Sequence, residues 1–171
     1  MFRSNRKILA LGIMAMMFLI PAFLAIAAES PEKVVSPIFG IAVPDGYRYW
    51  TLIAVSHRTD NKDELRAILG NPAAAAALKE GTLPLPDGAM LAKLAWQRVP
   101  MPEFKGAFKP GAPPRIEFMV KDSKKYASTG GWGFARFIKG KPASEADHKT
   151  CFPCHEALVK GHDFVFTRWA P

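Results

Sequence analysis

The most informative segment of this sequence is Cys151-Phe152-Pro153-Cys154-His155, close to the C-terminus. It has the C-x-x-C-H spacing of covalent c-type haem attachment, in which each thiol adds to a haem vinyl group and the adjoining imidazole binds the iron. These are the only two cysteines in the chain, so no thiol remains for another cofactor. The sequence therefore predicts one covalent haem c, with His155 as an iron ligand.

Three other uses of two cysteines at this spacing are weaker. A thioredoxin-type redox disulfide belongs on the first helix of a βαβ unit, whereas only 16 residues follow His155. A zinc site would need a fourth ligand, and the sequence offers no obvious one at a normal spacing. A structural disulfide between residues three apart is uncommon. Haem attachment is the preferred interpretation.

The N-terminus has the composition of an export signal. Three cations precede the uncharged run 8–28, and the small residues 25–27 offer a cleavage site. The run of 21 residues is also long enough to span a bilayer, so an uncleaved N-terminal anchor stays open. Both alternatives predict that residues 1–28 direct export and that residues 29–171 form the working domain in the periplasm.

Length and charge exclude fewer functions than the C-x-x-C-H motif does. Removal of 28 residues from 171 leaves about 143, which is enough for one domain with its own core. The formal net charge is +8, and the basic residues are scattered without an interleaved aromatic stripe. Such a spread is typical of a solvated surface, so no nucleic-acid partner is predicted. The net positive charge would still favour encounter with an acidic redox partner.

Turn and propensity patterns predict mostly strands after the signal. Asn71 as N-cap, Pro72 at the first helical position and Gly81 at the stop predict a short helix over 73–80, and a second helix is predicted over 143–160. Hairpin-like turns with only short helices predict an antiparallel sheet and an α+β fold that is mostly β, around the single haem. The predicted strands are 47–55, 65–69, 89–96, 116–120, 130–137 and 163–169, with a Pro- and Gly-rich connection over 100–114.

The position of the motif limits the second axial ligand of the iron. No methionine follows His155, and His57, His148 and His162 could in principle supply a second imidazole. His148 and His162 flank the motif too closely to reach the opposite face easily, so both are predicted at the surface. The methionines of the mature chain are Met90, Met101 and Met119, two of them in predicted strands where core packing is the usual role. The sequence predicts five-coordinate iron with an open side, which binds or transforms small molecules.

Two charged residues within apolar strands are candidate site residues. Strand alternation places Lys93 on one face with Leu91 and Ala95, and Glu117 on one face with Arg115. A lysine that extends to solvent from a sheet edge, and a carboxylate paired with Arg115, are structural alternatives that stay open. If both side chains point into the haem cavity, burial is expected to raise the pKa of Glu117 and let it shuttle protons.

Several motifs taken together resemble the cytochrome P-460 and cytochrome c′-beta family. They are GYRYW at 46–50, PDGA at 86–89, VKDS at 120–123, GWGF at 131–134, CFPCH at 151–155 and DFVFT at 163–167. The resemblance covers nearly all of the mature chain. It implies a small, mostly β, dimeric periplasmic protein with one haem c close to the C-terminus.

The resemblance also implies a chemistry. In the P-460 branch a lysine bonded to the haem ring accompanies hydroxylamine oxidation and a distal glutamate relays protons; by motif position these residues are Lys93 and Glu117. The c′-beta branch lacks the cross-link and binds nitric oxide in a pocket capped by aromatic side chains. This chain has no phenylalanine near 61–63, where the P-460 branch implies a distal one.

Two functions from different classes follow. The first is a hydroxylamine oxidoreductase that passes electrons through the haem to a soluble acceptor cytochrome and protons through Glu117. The second is a haem protein that binds or scavenges nitric oxide without turnover. The presence of both Lys93 and Glu117 favours the enzyme, because each role needs its own residue type.

Overall fold

Strand-forming segments alternate with Gly- and Pro-containing turns along most of the chain, and they form one antiparallel sheet. The computed structural model describes residues 33–112 and 115–170, so the predicted signal lies outside the described residues. Within the described ranges no helix has the length and apolar character needed to cross a bilayer. The strands are β1 Thr51–Arg58, β2 Glu64–Gly70, β3 Met90–Pro100, β4 Phe108–Pro110, β5 Arg115–Lys121, β6 Trp132–Ile138 and β7 Lys141–Pro142. The helices are α1 Pro72–Glu80, α2 Glu145–Lys149 and α3 Cys151–Val159.

The strand order is β1-β2-β3-β5-β6-β7, with β4 paired to the far end of β3. Neighbouring strands are antiparallel throughout this sheet. The predicted α+β, mostly β fold with an antiparallel sheet is therefore confirmed. The strands predicted over 65–69, 89–96, 116–120 and 130–137 correspond to β2, β3, β5 and β6.

Helix α1 follows the prediction from its capping residues. The side-chain oxygen of Asn71 accepts the backbone N–H of Ala74 at 3.0 Å, and Pro72 occupies the first helical position. The helix ends at Gly81, which has the left-handed φ of 68° that a side chain disfavours. The Asn71 side chain also binds the backbone of Gly88 and Met90, and these bonds join the helix to the start of β3.

The sheet separates two apolar clusters because successive side chains point to opposite faces. On one face Ala92, Leu94 and Phe118 pack with side chains of the segment before β1. On the other face Leu91 packs with helix α1 and with the half-buried Phe152 of α3. Since Lys93 alternates with Ala92 and Leu94, it lies on the face of Leu91, toward α3.

The helical prediction over 143–160 is resolved into two helices. α2 is capped by Ser144, whose side-chain oxygen accepts the backbone N–H of Asp147 at 3.1 Å. α3 begins at Cys151, and Pro153 lies in its first turn, where the missing N–H removes no hydrogen bond. The C-x-x-C-H motif occupies the first five positions of α3, so its two thiols and the imidazole lie on one side of the helix.

Two predicted strands are wrong in part or in whole. Residues Tyr47–Tyr49 form a 3-10 turn after Gly46, and the strand begins only at Thr51. The segment 163–169 is not a strand, since Asp163 and Phe164 have left-handed φ values of 47° and 59° that interrupt extended backbone. Its apolar residues are explained instead by contacts with the core, where Val165 is 1% exposed.

Candidate functional site

A cavity of about 840 Å³ lies between the sheet and the C-terminal helical segment, within the size range of ligand sites. All five residues that the sequence proposed for the site line this cavity. Lys93 and Glu117 belong to its sheet wall, and Cys151, Cys154 and His155 belong to α3. The fold thus brings together residues that are up to 62 positions apart in the chain.

The two thiols are free and face the cavity from the first turn of α3. Cys151 is half-buried and Cys154 is exposed. Burial raises the pKa of the Cys151 thiol, which keeps it protonated at neutral pH. An S–H group within reach of an open cavity is the state that adds across a vinyl double bond. The disulfide alternatives therefore do not describe this structure.

The imidazole of His155 is held in the tautomer that an iron ligand needs. Its Nδ1–H donates to the carbonyl oxygen of Phe164 at 2.7 Å, so Nε2 keeps its lone pair. The ring lies 5.0 Å from the ring of Phe134 and 4.9 Å from that of Phe166, measured between centroids. Burial lowers the pKa of His155, which favours the neutral ligand. The thiols, the oriented imidazole and the cavity fit a c-type haem.

Lys93 and Glu117 stand directly opposite each other in the β3–β5 register and form an ion pair. The Glu117 carboxylate also accepts hydrogen bonds from Arg136 Nε at 2.7 Å and from Arg115 Nε at 3.2 Å. Its side chain is 13% exposed and that of Lys93 is 33% exposed. One buried carboxylate is therefore held by three cations on the cavity wall.

The expectation of a raised pKa for Glu117 is wrong. Burial by itself raises the pKa of this carboxyl group, but the charge and hydrogen bond of Lys93, followed by the charges of Arg136 and Arg115, hold it at about 2. For Lys93 the order is reversed, because burial lowers the pKa of the amine more than Glu117 raises it. The pair combines a strongly ionised acid with an amine that loses its proton more easily than usual.

The structure tests the two structural alternatives, a sheet-edge lysine for Lys93 and an ion pair with Arg115 for Glu117. Lys93 is not an edge residue, since β3 is paired with β2 on one side and with β5 on the other. The Arg115–Glu117 contact that was left open does form, but it coexists with the exposure of both side chains to the cavity. Ion pairing and a place in the site are therefore compatible for Glu117.

The surface prediction for His148 is wrong. This side chain is 1% exposed, and its Nε2 accepts the backbone N–H of Arg136 at 3.0 Å while Nδ1–H donates to the Ser144 carbonyl at 2.8 Å. Both nitrogens are occupied, so His148 fixes α2 against β6 and is not available to iron. His162 is half-buried, with Nδ1–H donating to Val165 at 2.8 Å. No pattern in the sequence distinguishes a buried histidine from an exposed one here.

Sequence reasoning missed a group of cavity-facing residues around Glu64. The buried Glu64 carboxylate accepts from Arg66 at 2.9 Å and from Arg115 at 2.8 Å, and both arginines line the cavity. The signal was present as charged residues two apart, at 64 and 66 and at 115 and 117, which share one strand face. Met119, assigned to core packing, packs against the buried cluster and also lines the cavity.

The low pKa of Glu117 predicts a specific acid sensitivity. A carboxylate whose pKa falls from 4.5 to about 2 on folding stabilises the protein above pH 4.5 and loses that contribution as the pH drops toward 2. Across this pH window the loss of the Glu117 contribution should lower the free energy of unfolding of the wild type by up to about 3 kcal/mol. The Glu117→Gln variant should lack this decrease. Urea unfolding of the haem-free protein, in which Lys93 keeps its charge, from neutral pH down into that window measures it, with the exposed Glu103→Gln as control. Identical pH slopes in wild type and Glu117→Gln would contradict the ionised cluster.

Comparison with known proteins agrees with this geometry. The model of the Cytochrome P460 family matches residues 44–167, which is more than half of the chain. A search of curated proteins gives no significant match. The matched span includes the strands β1–β7 and the helices α1–α3 of the described residues, together with all five predicted site residues. The chain therefore belongs to the cytochrome P460 family, and that membership implies a haem c with iron.

Proposed function

We propose that this protein is a periplasmic oxidoreductase that oxidises hydroxylamine at a haem c bonded to Cys151, Cys154 and Lys93, with His155 as the iron ligand. The observation that supports it is the Lys93–Glu117 pair on the wall of the cavity that also receives the C-x-x-C-H motif. Both residue types that the enzymatic branch of the family uses are present in one cavity and in contact.

The bound haem would supply an iron position for a small nitrogen compound and a path for its electrons. The protein's part is to hold and orient it. His155, fixed by the Phe164 carbonyl, would supply Nε2 to the iron, and the rings of Phe134 and Phe166 pack against the imidazole. If His155 were the one protein ligand of the iron, the remaining position would be available to the substrate.

Lys93 is suited to form a bond with the haem ring. The nucleophile is the neutral amine, and burial increases its share by lowering the pKa of Lys93. Joining Nζ to a ring carbon replaces one N–H and one C–H bond by an N–C bond. The step releases two protons and two electrons, so it needs a two-electron oxidant of the peroxide class. Glu117, in contact with Nζ, would hold the amine at the cavity wall.

Cross-linking would also prepare Glu117 for proton transfer. A carboxylate with a pKa of about 2 is a weak base, and the charge of Lys93 is the largest factor that lowers it. An amine bonded to an aromatic ring no longer carries a positive charge at neutral pH. The pKa of Glu117 then rises, while Arg115 and Arg136 keep the side chain in place. Oxidation of hydroxylamine to nitric oxide releases three protons and three electrons, and Glu117 would carry the protons.

The Glu117→Gln variant tests this role. It should keep the spectrum of the cross-linked haem but lower kcat by roughly 10²–10⁴-fold, the usual contribution of a general base. Steady-state oxidation of hydroxylamine with an artificial electron acceptor measures the effect. Glu64→Gln is the matched control, because Glu64 is buried and binds Arg115 but makes no contact with Lys93. Unchanged turnover in Glu117→Gln would assign Glu117 a purely structural role.

The alternative function, binding of nitric oxide without turnover, is favoured by one observation. Lys93 is engaged with Glu117, which itself has two further cationic partners, so the cluster is electrostatically satisfied without any bond to haem. A protein that stays in this state would show an ordinary haem c spectrum and an unmodified Lys93. The same preparation would bind nitric oxide and fail to oxidise hydroxylamine.

The iron is expected to be high-spin and five-coordinate or water-bound in the ferric protein at neutral pH. The ring Nε2 of His57 is 2.8 Å from Asp63 Oδ1, which holds this ring against Asp63. Both nitrogens of His148 are bonded to backbone, so His148 is not free for the iron. Electron paramagnetic resonance gives the spin state directly. A low-spin signal that disappears in His57→Ala would show bis-histidine ligation and contradict the prediction.

We further propose a homodimer that passes electrons to a soluble acceptor cytochrome. The family resemblance implies the dimer, and the edge strand β1 exposes Leu52 and Val55 at 54% and 70%, which offers apolar surface to a second copy. The net positive charge favours an acidic electron acceptor.

A further inference from the structure

A buried ion pair joins the end of β5 to the segment after α3, outside the cavity. Lys121 Nζ lies 2.6 Å from Asp163 Oδ1, and each side chain is 7% exposed. The ammonium also contacts the Gly130 carbonyl at 3.4 Å and lies 4.9 Å from the ring centroid of Trp132. The second carboxylate oxygen of Asp163 accepts the backbone N–H of Leu85 at 2.8 Å. Two separate parts of the chain, at Leu85 and at Lys121, thus converge on Asp163.

Such a pair is not explained by stability alone. Burial of two charges removes their hydration, and well-packed apolar residues often stabilise a fold as well or better. What a buried pair does supply is a defined geometry, because each charge must meet its partner. The Lys121–Asp163 pair is therefore expected to fix the position of the chain around one of its two residues.

The residue that follows Asp163 carries the hydrogen-bond acceptor of the candidate iron ligand. The Phe164 carbonyl receives Nδ1–H of His155 at 2.7 Å. Both Asp163 and Phe164 have left-handed backbone, which is unfavourable for residues with side chains and persists only where surrounding contacts enforce it. The ion pair and the Leu85 contact are the side-chain bonds that hold Asp163 in this conformation.

A glycine on the opposite side agrees with this arrangement. A Cβ atom at Gly130 would overlap the ring of Phe164, so only glycine lets that ring lie where it does. Gly130 is also the residue whose carbonyl contacts Lys121 Nζ. Lys121 contacts Asp163 and Gly130 contacts Phe164, so both constrain this segment.

We propose that the buried Lys121–Asp163 pair positions the Phe164 carbonyl and thereby sets the strength of His155 as an iron ligand. A hydrogen bond from Nδ1–H to a well-placed carbonyl makes the imidazole more electron-rich and strengthens its bond to the metal. Lys121 and Asp163 are positioning residues, since they act through Phe164 and touch neither the iron ligand nor the cavity wall. The inference rests on the proposed function only in taking His155 as the ligand; it does not depend on Lys93 or on hydroxylamine.

The test compares the holoprotein with its Asp163→Asn and Lys121→Met variants. Resonance Raman spectra of the ferrous state report the iron–imidazole stretching frequency, and redox titration reports the reduction potential. Both variants should shift the frequency downward and the potential upward, because a weaker Nδ1–H bond leaves His155 less able to stabilise ferric iron. Asp163→Asn keeps an acceptor for Leu85 and nearly the same shape, so it is the decisive variant if Lys121→Met yields no folded holoprotein.

Asp87→Asn is the matched control. Asp87 accepts hydrogen bonds from the backbone and hydroxyl of Ser123 at 2.8 and 2.7 Å, two residues after Lys121, but makes no bond to the segment that carries Phe164. It should lower thermal stability without moving either signal. Pair variants that unfold at lower temperature yet keep the wild-type frequency and potential would overturn the proposal. Absence of turnover in wild type would count against hydroxylamine oxidation and leave this measurement unaffected.

Discussion

Replacing Lys93 by alanine is expected to return the ferrous protein to an ordinary haem c absorption spectrum and to abolish hydroxylamine oxidation. The nitrogen substituent on the ring alters its conjugation, so the wild-type ferrous band should be red-shifted and the variant band should not. The thioether bonds remain in the variant, because Cys151 and Cys154 are unchanged. Glu117 keeps Arg115 and Arg136 as partners, and the fold is therefore expected to survive the substitution.

Two comparisons make this result specific to the bond. Lys62→Ala removes another lysine that lines the cavity and should leave both the spectrum and the turnover unchanged. Mass spectrometry of the digested wild type should show the peptide with Lys93 joined to the haem peptide that carries 151–155. A free Lys93 peptide in wild type, with an ordinary spectrum and tight nitric oxide binding, would reject the enzyme and favour the binding protein.

Replacing both cysteines is expected to remove covalent haem altogether. Protein matured with the cytochrome c assembly machinery should keep its colour through acid–acetone extraction, since two thioether bonds retain the haem. The Cys151→Ala, Cys154→Ala double variant should lose the colour completely, because without the thioether bonds the haem is not retained in the cavity where Lys93 could bond to it. The two thiols are free and on one side of α3, so they are available to the two vinyl groups.

The single cysteine variants separate the two contributions. Each single variant should keep one thioether bond and therefore part of its colour after extraction. The half-buried Cys151 is more protected from solvent than the exposed Cys154. An intact mass of the wild type that equals polypeptide plus haem gives an independent measure. Colour that extracts freely from wild type would contradict both the attachment and every proposal that depends on it.

Several elements of this fold follow from interactions between residues that are close together in the sequence. The helix over Pro72–Glu80 follows from an N-cap, a proline and a terminating glycine, which act within a few residues of each other. The strands that became β2, β3, β5 and β6 follow from apolar and β-branched runs between turns. The C-x-x-C-H motif needs no partner from elsewhere in the chain to be recognised. Alternation along β3 and β5 placed Lys93 and Glu117 on defined faces, and the structure shows those faces meeting at the cavity.

Apart from the late start of β1 at Thr51, the errors concern groups whose state depends on distant residues. The segment 163–169 has the composition of a strand, but the Lys121–Asp163 contact and the His155–Phe164 hydrogen bond favour a different backbone. His148 is buried because Arg136 and Ser144 satisfy both of its nitrogens.

Glu117 illustrates the limit most clearly. Its sequence neighbours indicate an apolar environment and hence a raised pKa, whereas two of the three cations that lower it belong to other strands, β3 and β6. Residue type and local spacing were enough to identify the chemical groups of the site, since the chain carries both. The charges of these groups depend on the fold, because Coulomb and hydrogen-bond energies depend on distances that the sheet creates between residues remote in sequence.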